Sequence, residues 1–155
     1  MSYPTGGRSL RRTNAQRASW YFGFIFIVIG VLGFVPGITQ NYEALYFSGY
    51  TSEAVLLGVF QVSVLHNIVH LLFGFLGLIM ARANNSARIY LIGGGIIYLL
   101  LWIYGLIVPH HSAGNFVPVN NADNWLHLVL GVVMVGLGVL FGSRSATTGR
   151  TSPAA

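Results

Sequence analysis

Six polar side chains interrupt long apolar stretches of this chain: His66, Asn67 and His70, and then Asp123, Asn124 and His127. Residues three or four apart share a helix face, so on helices each trio makes one polar patch. Three imidazoles and a carboxylate from two helices (His66, His70, His127 and Asp123) are the donor types of zinc, copper or iron sites. His70 and His127 on neighbouring helices also suit axial ligation of a haem, although no second pair is available. Histidine titrates near neutrality, so the same residues, with Glu53, His110 and His111 on the same side, suit pH sensing or passage of a small solute. The plainest role is structural, with Asn67, His70, Asn124 and His127 hydrogen-bonding across the two helices; such bonds are worth about 0.6 kcal/mol each. The structural role is the expected one, and no metal or other cofactor is assigned.

Catalytic sets are missing. There is no Gly-x-Ser-x-Gly elbow, no phosphate-binding glycine loop and no pair of carboxylates at helical spacing, and Ser112 beside His111 is a loop dipeptide. Cysteine is absent, which excludes disulfides, thiol catalysis, iron–sulfur clusters and zinc-thiolate sites. A non-enzymatic role is the expectation.

The elements that must position the six residues are membrane helices. Of 155 residues, 54% are hydrophobic and 7% charged, with a mean hydropathy of +0.68; a soluble domain carries roughly 25% charged residues. Apolar runs at about 18–35, 64–81, 89–108 and 124–142 predict four transmembrane helices, an all-α polytopic protein. The first run is longer than a signal-peptide core, and no small-x-small cleavage site follows it, so it is read as an uncleaved helix. Residues 1–17 are expected to form a basic tail and 143–155 a small, polar, disordered one.

Charge orients the helices, because cytoplasmic loops carry the arginine excess. Arg8, Arg11, Arg12 and Arg17 precede the first run, Arg82 and Arg88 lie between the second and third, and Arg144 and Arg150 follow the fourth. Glu43, Glu53 and Asp123 fall on the opposite side. Both termini are therefore expected in the cytoplasm of a multi-pass plasma-membrane protein, with Trp20, Tyr21 and Tyr90 in the inner aromatic belt and Trp102, Tyr104 and Trp125 in the outer one. A pI near 10 can signal nucleic-acid binding. Here the arginines flank apolar spans in separate segments, which fits contact with anionic lipid and no nucleic acid.

An internal repeat sets the depth of the histidines. Residues 66–74 align with 123–131 at a constant offset of 57, matching Asn, His, Leu and Gly at four positions. The preceding runs end alike, in Gly33-Phe34-Val35-Pro36 and Leu106-Ile107-Val108-Pro109. Two helical hairpins are expected, related as a parallel repeat about the membrane normal. The alignment pairs Ser63 with Asn120, both good N-caps, so the second helix starts just after Ser63 and its histidines lie near the outer surface. Val55 to Val62 then belong to an extracellular loop, in which Val59-Phe60-Gln61-Val62 has strand-like alternation. Tyr42, Tyr46 and Tyr50 recur every four residues and suggest a short interfacial helix, weakened by Gly49. Residues 36–62 are expected to pack as a lid over the polar cluster, joined by Asn115-Phe116-Val117-Pro118. Gly74, Gly77 and Ala81 on one helix and Gly131, Gly138 and Gly142 on another offer small faces for close helix packing, with Gly93-Gly94-Gly95 on the third.

Val31-Leu32-Gly33-Phe34-Val35-Pro36-Gly37, the stretch from Leu57 to His70, Asn115-Phe116-Val117-Pro118-Val119 and Ala122-Asp123-Asn124-Trp125-Leu126-His127 resemble a family of small actinobacterial membrane proteins defined only as a domain of unknown function. The resemblance covers roughly residues 15 to 142. It implies a four-helix protein of an actinobacterial plasma membrane and no activity. The expected role is a structural or accessory component, associating with itself or with a larger membrane complex; the competing role is metal or haem binding by the histidine cluster.

Overall fold

The computed structural model describes residues 12–141. Arg8, Arg11, Gly142, Arg144, Arg150 and the expected 143–155 tail lie outside them. Four helices, α1 (Asn14–Leu32), α2 (Val64–Met80), α3 (Asn84–Ile107) and α4 (Asn121–Leu140), account for most of this chain.

Caps fix the helix ends, and for that reason they differ from the apolar runs. α1 starts ahead of residue 18 because Thr13 and Gln16 form a capping box: the Thr13 hydroxyl accepts from the Gln16 N–H and the Gln16 side chain accepts from the Thr13 N–H. It stops at Leu32 rather than Val35, with Gly33 as C-cap. Ser63 caps α2 by accepting from the His66 N–H at 3.1 Å, and Asn120 caps α4 by accepting from the Asp123 N–H at 3.0 Å. α3 begins at Asn84, ahead of the apolar run at 89, directly after the short turn from α2. Hydropathy sees apolar side chains only; caps extend helices into polar sequence.

α1, α3 and α4, of 19, 24 and 20 residues, are long and apolar enough to cross a membrane. α2 has 17 residues, about 25 Å of helix, against a hydrocarbon core of about 30 Å.

The bundle is inverted relative to a soluble protein. On α1 the buried residues are Ala15, Ser19, Gly23, Phe26 and Gly30, while Phe24, Ile25, Val28 and Val31 are exposed. Leu72, Phe75 and Ile79 on α2, Ile96, Ile97 and Leu100 on α3, and Val129, Val132 and Val133 on α4 are exposed too. Many large apolar groups face out, and apart from Phe26 the buried positions of α1 are small or polar, which suits close helix packing in lipid. The chain is a membrane protein.

α1 packs antiparallel on α2, and α3 on α4. At the first crossing Gly23 and Gly74 are in such close approach that a Cβ on either would lie 2.7 Å from the other's carbonyl oxygen; Gly95 and Gly131 repeat this at 2.8 and 3.0 Å. Ser19 donates to the Gly77 carbonyl at 2.8 Å, and a Cβ on Gly138 would meet Ile92 of α3. Gly74, Gly77, Gly131 and Gly138 are thus consumed inside the bundle. Between the pairs lies an aromatic layer of Phe26, Phe73, Tyr90 and Tyr98 with Leu91 and Met134. Tyr90 is 3% exposed, so it belongs to this layer and not to an interfacial belt.

The segment between α1 and α2 carries a three-stranded antiparallel sheet, β1 (Thr39–Gln40), β2 (Ala54–Leu56) and β3 (Phe60–Val62), in the order β1-β2-β3. Leu56 pairs with Phe60 and Ala54 with Val62 across a tight turn in which Leu57 and Gly58 have φ of 54° and 70°. Of the alternating stretch Val59 to Val62, Phe60–Val62 forms β3 and Val59 falls in the turn. The tyrosine helix does not form: a single 3₁₀ turn spans Tyr42–Ala44, and Gly49, with φ of 91°, turns the chain instead. Gly49 donates to the Phe116 carbonyl at 2.8 Å, which joins this segment to the α3–α4 loop.

Candidate functional site

The sheet lies over one end of the bundle, and the histidines lie beneath it. Because α2 begins right after β3, His66 and His70 fall in its first two turns. Their rings stack at 4.6 Å between centroids, and the His127 ring of α4 stands 6.5 Å from that of His66. The aromatic layer is their floor: Phe26 lies 5.7 Å from His70, Tyr98 lies 5.4 Å from His127, and Phe26 and Tyr98 stack on each other at 5.5 Å. Nothing in the sequence marks Phe26, Phe73 or Tyr98, because an aromatic residue within an apolar run reads equally well as lipid-facing.

Asp123 is held by backbone donors. Its Oδ2 accepts from the Asn120 N–H at 2.9 Å, closing the α4 capping box, and from the Gln61 N–H of β3 at 3.1 Å. The Asn120 side chain donates to the Val59 carbonyl at 2.8 Å, so two bonds fasten the hairpin to the start of α4. His70 Nδ1 donates to the His66 carbonyl one turn back, at 3.1 Å, which directs Nε2 to act as acceptor. Among the described residues no three His, Asp or Glu side chains are disposed to share a metal ion. In the candidate donor set, one carboxylate oxygen of Asp123 is thus engaged by backbone.

The asparagines also depart from expectation. Asn67 is fully buried against Gly33 of α1, and Asn124 is buried against Gly105 of α3; a Cβ on either glycine would overlap the amide. Asn67 and His70 are three positions apart, which leaves them about 60° apart around the axis, enough to turn the amide to its hairpin partner while the imidazole faces α4. Asn67 Oδ1 and Nδ2 and Asn124 Oδ1 have no protein hydrogen-bond partner. The expected bonds across α2 and α4 are replaced by helix-to-helix packing within each pair. Glu43, Glu53 and His111 are exposed and take no part.

The histidines, Asp123 and a hydrocarbon wall enclose a cavity of about 210 Å³. Leu56, Leu57, Phe60 and Val62 of the hairpin close it on one side, and Ile29, Leu126 and Leu130 complete it. Drug-sized ligands occupy roughly 300–1,000 Å³. The cavity is smaller than that range.

A family model described as Domain of unknown function (DUF4383) matches residues 16–140. The chain belongs to this family. The match spans the sheet, every residue of the cluster and all of the four helices but the first two residues of α1, and the family is defined as one of unknown function. No curated protein and no solved structure matches the chain.

Proposed function

We propose that this membrane protein is a structural or accessory component of the plasma membrane, with four crossing helices, both ends in the cytoplasm and the two long loops forming a lid on the outer face. The observation that carries this reading is the separation of charge. Arg12 and Arg17 precede or open α1, Arg82 and Arg88 flank the α2–α3 turn, and Gln16 reaches the Arg82 carbonyl at 2.9 Å, so these arginines share one end of the bundle. Glu43, Glu53 and Asp123 share the other. A bundle with no formal charge between its ends suits a scaffold better than an ion path, and the arginine end suits anionic lipid. α2, the shortest helix, crosses by local thinning of the bilayer.

The hairpins read as a parallel repeat because their contacts recur in register. From Gly23 to Gly95 and from Gly33 to Gly105 is 72 residues, and from Gly74 to Gly131 and from Asn67 to Asn124 is 57. The difference, 15 residues, is extra length in the first loop, where the sheet lies. Since the buried glycines are spent within the bundle, association with a second copy or a larger complex would use the lipid-facing sides.

Cysteines introduced at Ser48 and Ser112 are expected to react with an impermeant thiol reagent added outside intact cells, and one at Ser86 to react only after permeabilisation; the reverse pattern would overturn the orientation. A purified protein that runs strictly as a monomer and co-purifies with nothing would remove the accessory role.

A further inference from the structure

We infer that a phospholipid with an anionic headgroup binds in a groove on the lipid-facing side of α3, its phosphate on Arg88 and one acyl chain along Ile89, Ile92 and Gly93. The groove, of about 360 Å³, is lined by these four residues and Asn85. Positions i, i+3, i+4, i+7 and i+8 form one helix face, so its polar end passes into its apolar end along the axis. From Asn85 to Gly93 is about 12 Å. α3 has 24 residues, about 36 Å of helix, against a hydrocarbon core of about 30 Å. Its first turn therefore lies among headgroups and Gly93 among acyl chains.

Two features select this occupant. Arg88 is a cation held in place without a counter-charge: its Nε–H donates to the Gly138 carbonyl of α4 at 3.2 Å, which leaves the terminal N–H groups of the guanidinium for an acceptor outside the bundle. The chain's three acids, Glu43, Glu53 and Asp123, are all at the other end. Phosphate matches the planar fork of arginine with two parallel hydrogen bonds. Arg12, Arg17 and Arg82 share this end, so a lipid of net negative charge is favoured over a zwitterionic one. The second feature is Gly93. Its neighbours are spent on packing, since a Cβ on Gly94 would lie 2.5 Å from Phe73 and one on Gly95 2.7 Å from Val135, but a Cβ on Gly93 would meet nothing within 4 Å. Glycine is a poor helix former, and no protein contact calls for one here. Its missing side chain leaves a notch beside Ile89 and Ile92 where an acyl chain reaches the backbone.

The site deepens the reading of the arginine end as a surface for anionic lipid and rests on it. Phosphatidylglycerol and phosphatidylcholine with the same palmitoyl and oleoyl chains, added to the full-length protein in detergent and counted by native mass spectrometry, test it. Phosphatidylglycerol is expected to bind about fivefold more tightly. Arg88→Gln and Gly93→Leu are each expected to weaken its binding by about fivefold or more; the second fills the notch from a position where a Cβ clashes with nothing, so the fold is kept. Gly136→Leu, at an equally open glycine outside the groove, is expected to leave binding unchanged. Equal binding of the two lipids would overturn the proposal, as would phosphatidylglycerol binding that survives Arg88→Gln or Gly93→Leu, or that falls as far in Gly136→Leu. Binding that survives Arg88→Gln but falls in Arg82→Gln would remove this site and leave the arginine end a lipid surface. Reversed cysteine labelling in cells would do the opposite, removing the orientation and leaving the site.

Discussion

Gly23→Ala is expected to lower the stability of the detergent-solubilised protein by about 3 kcal/mol, the upper end of what overpacking costs. The reason lies in what the new methyl would meet: the Gly74 carbonyl oxygen at 2.7 Å and the Leu78 nitrogen at 2.8 Å, both backbone. A side chain can rotate away, but two helix backbones must separate. Separation would also stretch the bond from Ser19 to the Gly77 carbonyl. Gly93 and Gly136 are the controls, since a Cβ at either meets nothing within 4 Å. Gly93→Ala and Gly136→Ala are expected to be neutral or to stabilise by up to about 1 kcal/mol, the helix propensity gained. Chemical unfolding followed by circular dichroism measures all three. If Gly23→Ala unfolds together with Gly93→Ala, the close approach of α1 and α2 is wrong.

The second large effect is local. Asp123→Ala removes the acceptor of the Asn120 and Gln61 N–H groups, and a hydrogen bond to a charged group contributes about 1.5–3 kcal/mol. Of these two bonds the Gln61 one crosses from α4 to the sheet, so the segment 54–62 is expected to lose about 100-fold in hydrogen-exchange protection, equivalent to about 2.7 kcal/mol, with helix content almost unchanged. Asp123→Asn keeps an acceptor oxygen and is expected to restore part of that protection. Exchange of this segment at the unaltered rate in Asp123→Ala would mean that the hairpin is held by its apolar contacts alone.

Much of this architecture is written in local sequence, and the parts that are not share a cause. Ser63 and Asn120 are legible as caps because capping is a matter of three or four neighbouring residues, and Val59 to Val62 are legible as a strand because period two is local. The membrane character follows from composition. Three things are not legible. Asp123 invites reading as a metal ligand because its true partner, the Gln61 amide, lies 62 residues away and backbone donors leave no trace in residue type. Asn67 and Asn124 are recognised as equivalent, but which helix they face depends on a rotation of about 60° that spacing alone leaves ambiguous. Tyr42, Tyr46 and Tyr50 have helical spacing without a helix, because Gly49, at φ of 91°, and the pairing of β1 with β2 dictate the backbone there.

The fastening of the hairpin to α4 bears on how the protein is made. Val59 and Gln61 belong to the first half of the chain, and their partners Asn120 and Asp123 come about sixty residues later. At a synthesis rate of about 5–20 residues per second, the hairpin waits roughly 3–12 s for the residues that hold it. Until then the unpaired Gln61 amide and the face of Phe60 are open to solvent or to other proteins. The cavity is consequently among the last parts to close, and a chain truncated before α4 would present His66 and His70 without their wall.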